Sequence, residues 1–119
     1  MKVIFFLVSI FLASAASAQS CDPLRFSPGE SGVSLDGILP PKDPSQATEP
    51  PCFSLAVRQG QRVSIVVEGD KNVVVTVPGA GDARQVFDFA APSNLVEILL
   101  FQLFPSPREA PYTLTVRVE

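Results

Sequence analysis

Few side chains in this sequence could perform acid–base or covalent chemistry. The 119 residues include no histidine, which excludes Ser/His/Asp triads, Cys/His pairs and metal sites that use histidine. Neither a P-loop nor a G-x-G-x-x-G stretch occurs, so the usual means of binding a nucleotide is missing. Lys42 and Lys71, the only lysines after Lys2, lie in loop-like settings and are expected to be solvated charges. We therefore predict that the protein is not an enzyme.

The acidic residues offer the one alternative to this interpretation. Asp70, Asp82 and Asp88 could meet at one end of a folded domain, as a catalytic carboxylate pair or a Ca²⁺ site would require. Their spacing matches no D-x-[DN]-x-[DN]-G loop, and the residues around them are typical of turns. We interpret them as turn residues and predict no metal and no other cofactor.

The N-terminus has the pattern of a secretory signal. Lys2 precedes a largely apolar run, residues 3–12, and a stretch of alanine and serine then suits cleavage by signal peptidase. The pattern predicts a signal peptide over residues 1–18 and one mature domain over residues 19–119, periplasmic or secreted. Because the apolar run is too short to span a bilayer, we expect no membrane insertion.

The predicted export indicates the state of the two cysteines. Cys21 and Cys52 form an even pair in a chain that passes through an oxidising compartment, which predicts a disulfide between them. Lipidation of Cys21 is disfavoured, because Gln19 stands where a lipoprotein signal has a small residue.

The charge of the mature chain bears on its partners. Removing the signal removes Lys2 and no acidic residue, which leaves eight basic against twelve acidic residues, a net charge of −4. An acidic surface argues against nucleic acid and favours a basic protein partner.

Short apolar runs alternate with Pro, Gly, Asn and Asp clusters from Leu24 onward, and no proline-free window keeps a helical period. This pattern predicts an all-β fold, a small antiparallel β-sandwich or jelly roll of about eight strands. The expected strands are 24–27, 33–39, 52–57, 62–68, 72–77, 85–90, 95–104 and 112–119. Residues 40–51, with five prolines, are expected to form a surface loop.

The clearest local pattern runs from Phe53 to Val67. Apolar residues alternate with polar ones on both sides of Gln59-Gly60, which predicts a β-hairpin with one buried face. The core between the two sheets is predicted to contain Leu55, Val57, Val63, Ile65, Leu99, Phe101, Leu114 and Val116.

Three segments carry a family resemblance. Arg25-Phe-Ser-Pro-Gly29, Phe53 to Val67 and Tyr112-Thr-Leu-Thr-Val116 resemble the opening strand, hairpin and closing strand of bacterial pre-peptidase C-terminal (PPC) domains, which are exported β-sandwiches that bind and do not catalyse. Among stand-alone proteins of this size, the chain is most similar to the periplasmic inhibitors of g-type lysozyme. The resemblance implies a protein that binds another protein, a basic lysozyme.

The resemblance also implies a site. Ser93 to Gln102 lies where that family has a Ser-Gly-x-Tyr turn and the following strand; Asn94 stands for the glycine, as a turn with positive φ tolerates, and Val96 stands for the tyrosine. The implied binding groups are Ser93, Asn94 and Arg108, with Arg108 brought near the turn and Arg58 contributing little. The alternative is a carbohydrate- or envelope-binding module, against which the lack of tryptophan counts.

Overall fold

The structure is a computed structural model in which residues 21–46 and 49–119 are described. The predicted signal peptide, residues 1–18, lies outside them. All regular structure in the described residues is β-strand. No helix in this part of the chain is long and apolar enough to cross a membrane.

Nine strands form the two sheets of a sandwich. In chain order they are β1 (Asp22–Pro23), β2 (Gly32–Leu39), β3 (Cys52–Ala56), β4 (Arg62–Gly69), β5 (Val73–Val77), β6 (Gly81–Arg84), β7 (Val86–Ala90), β8 (Leu95–Gln102) and β9 (Ala110–Val118). The larger sheet has the order β1-β3-β8-β5-β6 and the smaller sheet the order β2-β9-β4-β7. The short β1 runs parallel to β3, and the other pairs are antiparallel. The predicted small β-sandwich is confirmed.

Strand β9 illustrates how the sequence builds the sandwich. Its inward residues Leu114 and Val116 are fully buried, whereas Thr113 and Thr115, which alternate with them, face outward. This alternation gives β9 one apolar face, and the two sheets bury their inward faces against each other. The fully buried large side chains are Leu39, Leu55, Val63, Ile65, Val73, Val75, Val77, Val96, Ile98, Leu100, Leu114 and Val116.

Two strands differ from the sequence-based expectation. The first strand is Asp22–Pro23 rather than residues 24–27, because it follows Cys21 and pairs with the start of β3. Strand β6 was expected to be a turn, since Gly79, Gly81 and Asp82 are turn residues. The tight turn is confined to residues 78–80, and β6 pairs irregularly with β5.

The predicted hairpin over residues 53–67 is wrong. Strand β3 lies in the larger sheet, between β1 and β8, whereas β4 lies in the smaller sheet, between β9 and β7. The segment between them therefore crosses from one sheet to the other. A period of two fixes only which face of a strand is buried, and both a hairpin and a crossing connection satisfy it.

The predicted core is right in part. Five of its eight members are fully buried between the sheets, and Val57 is partly buried against them. The placement of Leu99 and Phe101 in the core was wrong, because β8 turns the residues that alternate with them, Val96, Ile98 and Leu100, inward. Both faces of β8 are mostly apolar, and the one charged residue of the strand, the exposed Glu97, lies on the outer face with Leu99 and Phe101.

The predicted disulfide between Cys21 and Cys52 is present. The two Cα atoms are 4.5 Å apart across a sequence separation of 31 residues. The bond holds β1 beside β3 on the outer side of the larger sheet, where Cys52 pairs with Leu99. Closing a loop of this length stabilises a domain by about 3 to 4 kcal/mol on the chain-entropy estimate.

Candidate functional site

The predicted turn lies at one end of the sandwich, where two connections cross between the sheets side by side. Residues 57–61 join β3 to β4, and residues 91–94 join β7 to β8; we call these two segments the arch end. Four hydrogen bonds tie them together: Val57 N to Asn94 O (3.0 Å), Gln59 N to Asn94 Oδ1 (3.2 Å), Gly60 N to Ala91 O (2.8 Å) and Ala91 N to Gln61 O (2.8 Å). The turn is therefore braced by a neighbouring loop.

Asn94 is the centre of this bracing. Its backbone oxygen and its side-chain Oδ1 both accept hydrogen bonds from the 57–61 segment. The amide Nδ2 is the other end of the same side chain, and no described residue accepts a hydrogen bond from it. Asn94 is exposed, so the two N–H groups of Nδ2 face solvent.

The expected reason for an asparagine at this position is wrong. Ala83 is the non-glycine residue with positive φ among those described, so Asn94 has ordinary backbone geometry. Its side chain is used instead as an acceptor that fixes the neighbouring loop.

Ser93 stabilises its own turn. Its Oγ donates to Leu95 O at 2.9 Å and lies 3.4 Å from Leu95 N, and the residue is exposed. Leu95, the first residue of β8, leaves 52% of its surface exposed beside the turn. The arch end thus presents an apolar side chain next to free amide donors.

Arg108 lies at the other end of the molecule, and the expectation that it approaches the turn is wrong. The backbone oxygen of Arg108 accepts a hydrogen bond from Gln102 Nε2 at 3.0 Å, and Gln102 is the last residue of β8. Ser93 precedes the first residue of that strand. Eight residues of extended chain separate the two positions by about 25 Å.

Arg58 is the basic residue that the arch end does contain. It stands between Val57 and Gln59, whose backbone N–H groups both bond to Asn94. The residue is exposed, and its guanidinium forms no ion pair with a described residue. Strand β3 pairs with β8 so that Ala56 lies opposite Leu95, and this register brings residue 58 beside residue 94. The alternation of apolar residues does not show which strands pair, so the sequence did not indicate this placement.

Arg62, the next basic residue along the chain, forms an ion pair. Arg62 Nε donates to Asp88 Oδ1 at 2.7 Å, with both side chains exposed. This hydrogen bond lowers the pKa of Asp88 below its ordinary value and raises the pKa of Arg62. Arg58 is therefore left as the unpaired cation next to the turn.

The aspartates considered for a metal do not meet. Asp82 in β6 accepts a hydrogen bond from Thr76, Asp88 binds Arg62 on the other sheet, and Asp70 accepts from the backbone of Asn72. Within residues 21–46 and 49–119, the one group with metal-ligand spacing is Cys21, Cys52 and Glu97. Its two sulfurs are bonded to each other, so they cannot ligate.

The opposite end of the sandwich, which we call the proline end, consists of residues 40–46, 49–51 and 103–109. A groove of about 420 Å³ lies there between the proline segment and the last residues of β8, Leu100 to Gln102. Prolines 40, 41, 44, 50 and 51 and the ring of Phe101 line much of it. Lys42 Nζ donates to the backbone oxygens of Gln102 and Leu103, at 3.0 and 3.1 Å, and lies 5.9 Å from the Phe101 ring. This lysine fastens the proline segment to β8.

The side chain of Gln102 also connects the loops of the proline end to β8. It is buried, with 5% of its surface exposed, and its Nε2 donates to Pro40 O and Arg108 O at 2.9 and 3.0 Å. Its Oε1 accepts from Asn72 Nδ2 at 3.1 Å. All its side-chain hydrogen bonds go to loop residues, so its role is structural.

The likeness of this chain to known proteins lies in its fold and not in its sequence. No protein-family model and no curated protein sequence matches the chain, so the resemblance to PPC domains finds no support there. Solved structures do match. The periplasmic inhibitor of g-type lysozyme from Aeromonas hydrophila, PliG, has a TM-score of 0.62 at 19% identity over 84% of this chain and 96% of its own.

Two other inhibitors of g-type lysozyme are similar. PliG from Salmonella Typhimurium gives a TM-score of 0.58 at 14% identity, and a mutant of the Escherichia coli protein gives 0.59 at 13%. Each comparison covers 82% of this chain and 96% of the inhibitor. At such identities the likeness establishes a shared fold: the chain has the architecture of these inhibitors over nearly their whole length.

Proposed function

We propose that this protein is an exported, non-catalytic binding protein that inhibits a g-type lysozyme, in the periplasm or outside the cell. The observation that carries the proposal is the fold likeness to three lysozyme inhibitors, each matched over 96% of its length. The sequence adds two supports: no histidine is available for catalysis, and the mature charge of −4 suits a basic enzyme.

The arch end is the surface that we propose enters the lysozyme cleft. Lysozymes use acidic side chains at the glycosidic bond, so an inhibitor needs hydrogen-bond donors that approach a carboxylate. Asn94 Nδ2 supplies two N–H groups, and the exposed Arg58 guanidinium supplies a charged fork on the adjoining segment. Charge-assisted bonds of this kind are about twice as strong as neutral ones.

Rigidity of the arch end favours this role. The four hydrogen bonds between its two segments fix the turn before any partner arrives, so binding costs less ordering entropy. Leu95 adds an exposed apolar contact beside the donors. An apolar anchor ringed by polar donors is typical of a small protein–protein contact.

The proposed role of Arg108 becomes a separate hypothesis. Because Arg108 lies at the proline end, it could contact a lysozyme only if the partner used that end instead of the arch end. Variants at the two ends therefore distinguish the two surfaces.

The test is inhibition of purified g-type, c-type and i-type lysozymes by the mature protein. We expect inhibition of the g-type enzyme, with the inhibition constant raised about tenfold or more by Arg58→Ala, or about 1.4 kcal/mol. Asn94→Ala should weaken inhibition similarly. Arg108→Ala is the matched control and should change the constant less than twofold, with all melting temperatures near that of the wild type.

Three outcomes would correct the proposal. An effect of Arg108→Ala alone would move the contact to the proline end. Inhibition of only the c- or i-type enzymes would keep the inhibitor function and change its target. A wild-type protein that inhibits none of the three at micromolar concentration would show that the lysozyme assignment is wrong.

A further inference from the structure

The edge strand β2 differs from the other edges of the sandwich. The four edge strands are β1, β6, β2 and β7, of two, four, eight and five residues. Strand β6 is irregular, with Ala83 at φ 51°. Strand β2 keeps an unbroken register along β9 for all eight residues and carries one charge, Asp36. A long, regular, weakly charged edge is a template for pairing with another strand.

One hydrogen bond shows which backbone N–H and C=O groups of β2 face the open edge of the sheet. Val118 N donates to Ser31 O at 2.8 Å, so the odd-numbered residues of this segment turn their N–H and C=O groups toward β9. Since direction alternates along a strand, the even-numbered residues face the open edge. These are Gly32, Ser34, Asp36 and Ile38. Among the described residues, none makes a hydrogen bond to their outward backbone groups.

We propose that β2 pairs with β2 of a second copy of this chain, antiparallel about a two-fold axis at Leu35. In this register Gly32 faces Ile38 of the second copy, and Ser34 faces Asp36 of the second copy. All four outward residues of each copy then meet outward residues of the other. The two smaller sheets become one continuous sheet.

The side chains favour this register over its neighbour. A two-fold axis at Asp36 would place two carboxylates directly opposite each other, which is destabilising. With the axis at Leu35, each carboxylate meets a serine hydroxyl. Ile38, with 61% of its surface exposed, would lie across a glycine whose missing side chain leaves room for it. Leu35, only partly buried in one copy, would meet Leu35 of the second copy on the inner face.

Oligomeric state tests the pairing. We expect light scattering and sedimentation of the mature protein, over about 1 to 200 µM, to show a mass that doubles with concentration. Ile38→Lys adds a charge at the proposed contact and should leave a monomer at every concentration, with an unchanged circular dichroism spectrum. The control is Val86→Lys on edge strand β7, where the side chain is equally exposed at 63%; it should dimerise like the wild type.

Cross-linking tests the register. In the proposed dimer, Leu35 and Leu35 of the second copy form a non-hydrogen-bonded pair. The Cα atoms of such a pair are about 4.5 Å apart, which is close enough for a disulfide. Leu35→Cys should therefore form a disulfide-linked dimer on oxidation, visible without reductant on a gel. Val33→Cys should not, because its two copies lie about four residues apart along the strands.

Contrary results are equally definite. A wild-type protein that stays monomeric at all concentrations would overturn the proposal and leave the edge to an extended peptide of another protein. Loss of the dimer in Val86→Lys but not in Ile38→Lys would move the interface to β7. A cross-link through Val33→Cys alone would show a dimer with a different register.

Discussion

At the scale of single residues, Asn94 shows what a motif comparison can miss. Its place opposite a family glycine suggests backbone geometry as the reason for its presence, but its φ is ordinary. The side chain instead accepts a hydrogen bond from Gln59 N while its amide nitrogen faces solvent. One side chain therefore both braces the arch end and offers the donors of the proposed contact.

Glycine 69 gives a prediction at the same scale. It has φ +156°, and a Cβ built on it would lie 2.8 Å from the backbone oxygen of Pro111, which cannot move without disturbing β9. We expect Gly69→Ala to reduce the free energy of unfolding by about 2 to 3 kcal/mol, measured by urea denaturation.

Gly60 is the control for that measurement. It also has positive φ, +87°, but nothing lies within 4 Å of its Cβ position. Gly60→Ala should therefore cost only about 1 kcal/mol. Equal losses in the two variants would show that the contact with Pro111 has no energetic weight.

At the scale of elements, the strands were largely predictable and their partners were not. The alternation of Tyr112, Leu114 and Val116 with threonines gave the position of β9 to within two residues at each end, because a half-buried strand must alternate. The predicted hairpin between β3 and β4 was wrong, since the same alternation fits both pairing within a sheet and crossing between sheets. The separation of Arg108 from Ser93 follows from the extended strand β8 between them, and the placement of Arg58 beside Asn94 follows from the pairing of β3 with β8.

Strand β8 gives a prediction for this scale. Leu100 is fully buried between the sheets, whereas Phe101 lies half-buried on the outer face near Lys42. We expect Leu100→Ala to lower the free energy of unfolding by about 2 to 5 kcal/mol and Phe101→Ala to lower it by less, although phenylalanine is the larger residue. Urea denaturation of both variants measures the difference, and the reverse order would place Phe101 in the core.

At the scale of the whole molecule, the disulfide is the covalent link between the first strand and the rest of the larger sheet. Replacing both Cys21 and Cys52 by serine removes a loop closure across 31 residues. We expect the variant to lose about 3 to 4 kcal/mol of stability, measured by urea denaturation.

The state of the thiols provides the matching check. Thiol blocking of the native protein should add no mass before reduction, and two blocked thiols should appear after it. Blocking of two thiols without reductant would contradict the disulfide.

The alternation of the chain between the two sheets has a consequence for how the protein folds. Of the eight connections between consecutive strands, only that from β5 to β6 joins neighbours in one sheet. Every other strand finds its partners far away in sequence, so little native structure can form locally before the ends of the chain meet. The chain should therefore refold in milliseconds to seconds, as other β-sandwiches with distant pairings do, and no fragment that lacks β9 should hold the smaller sheet together.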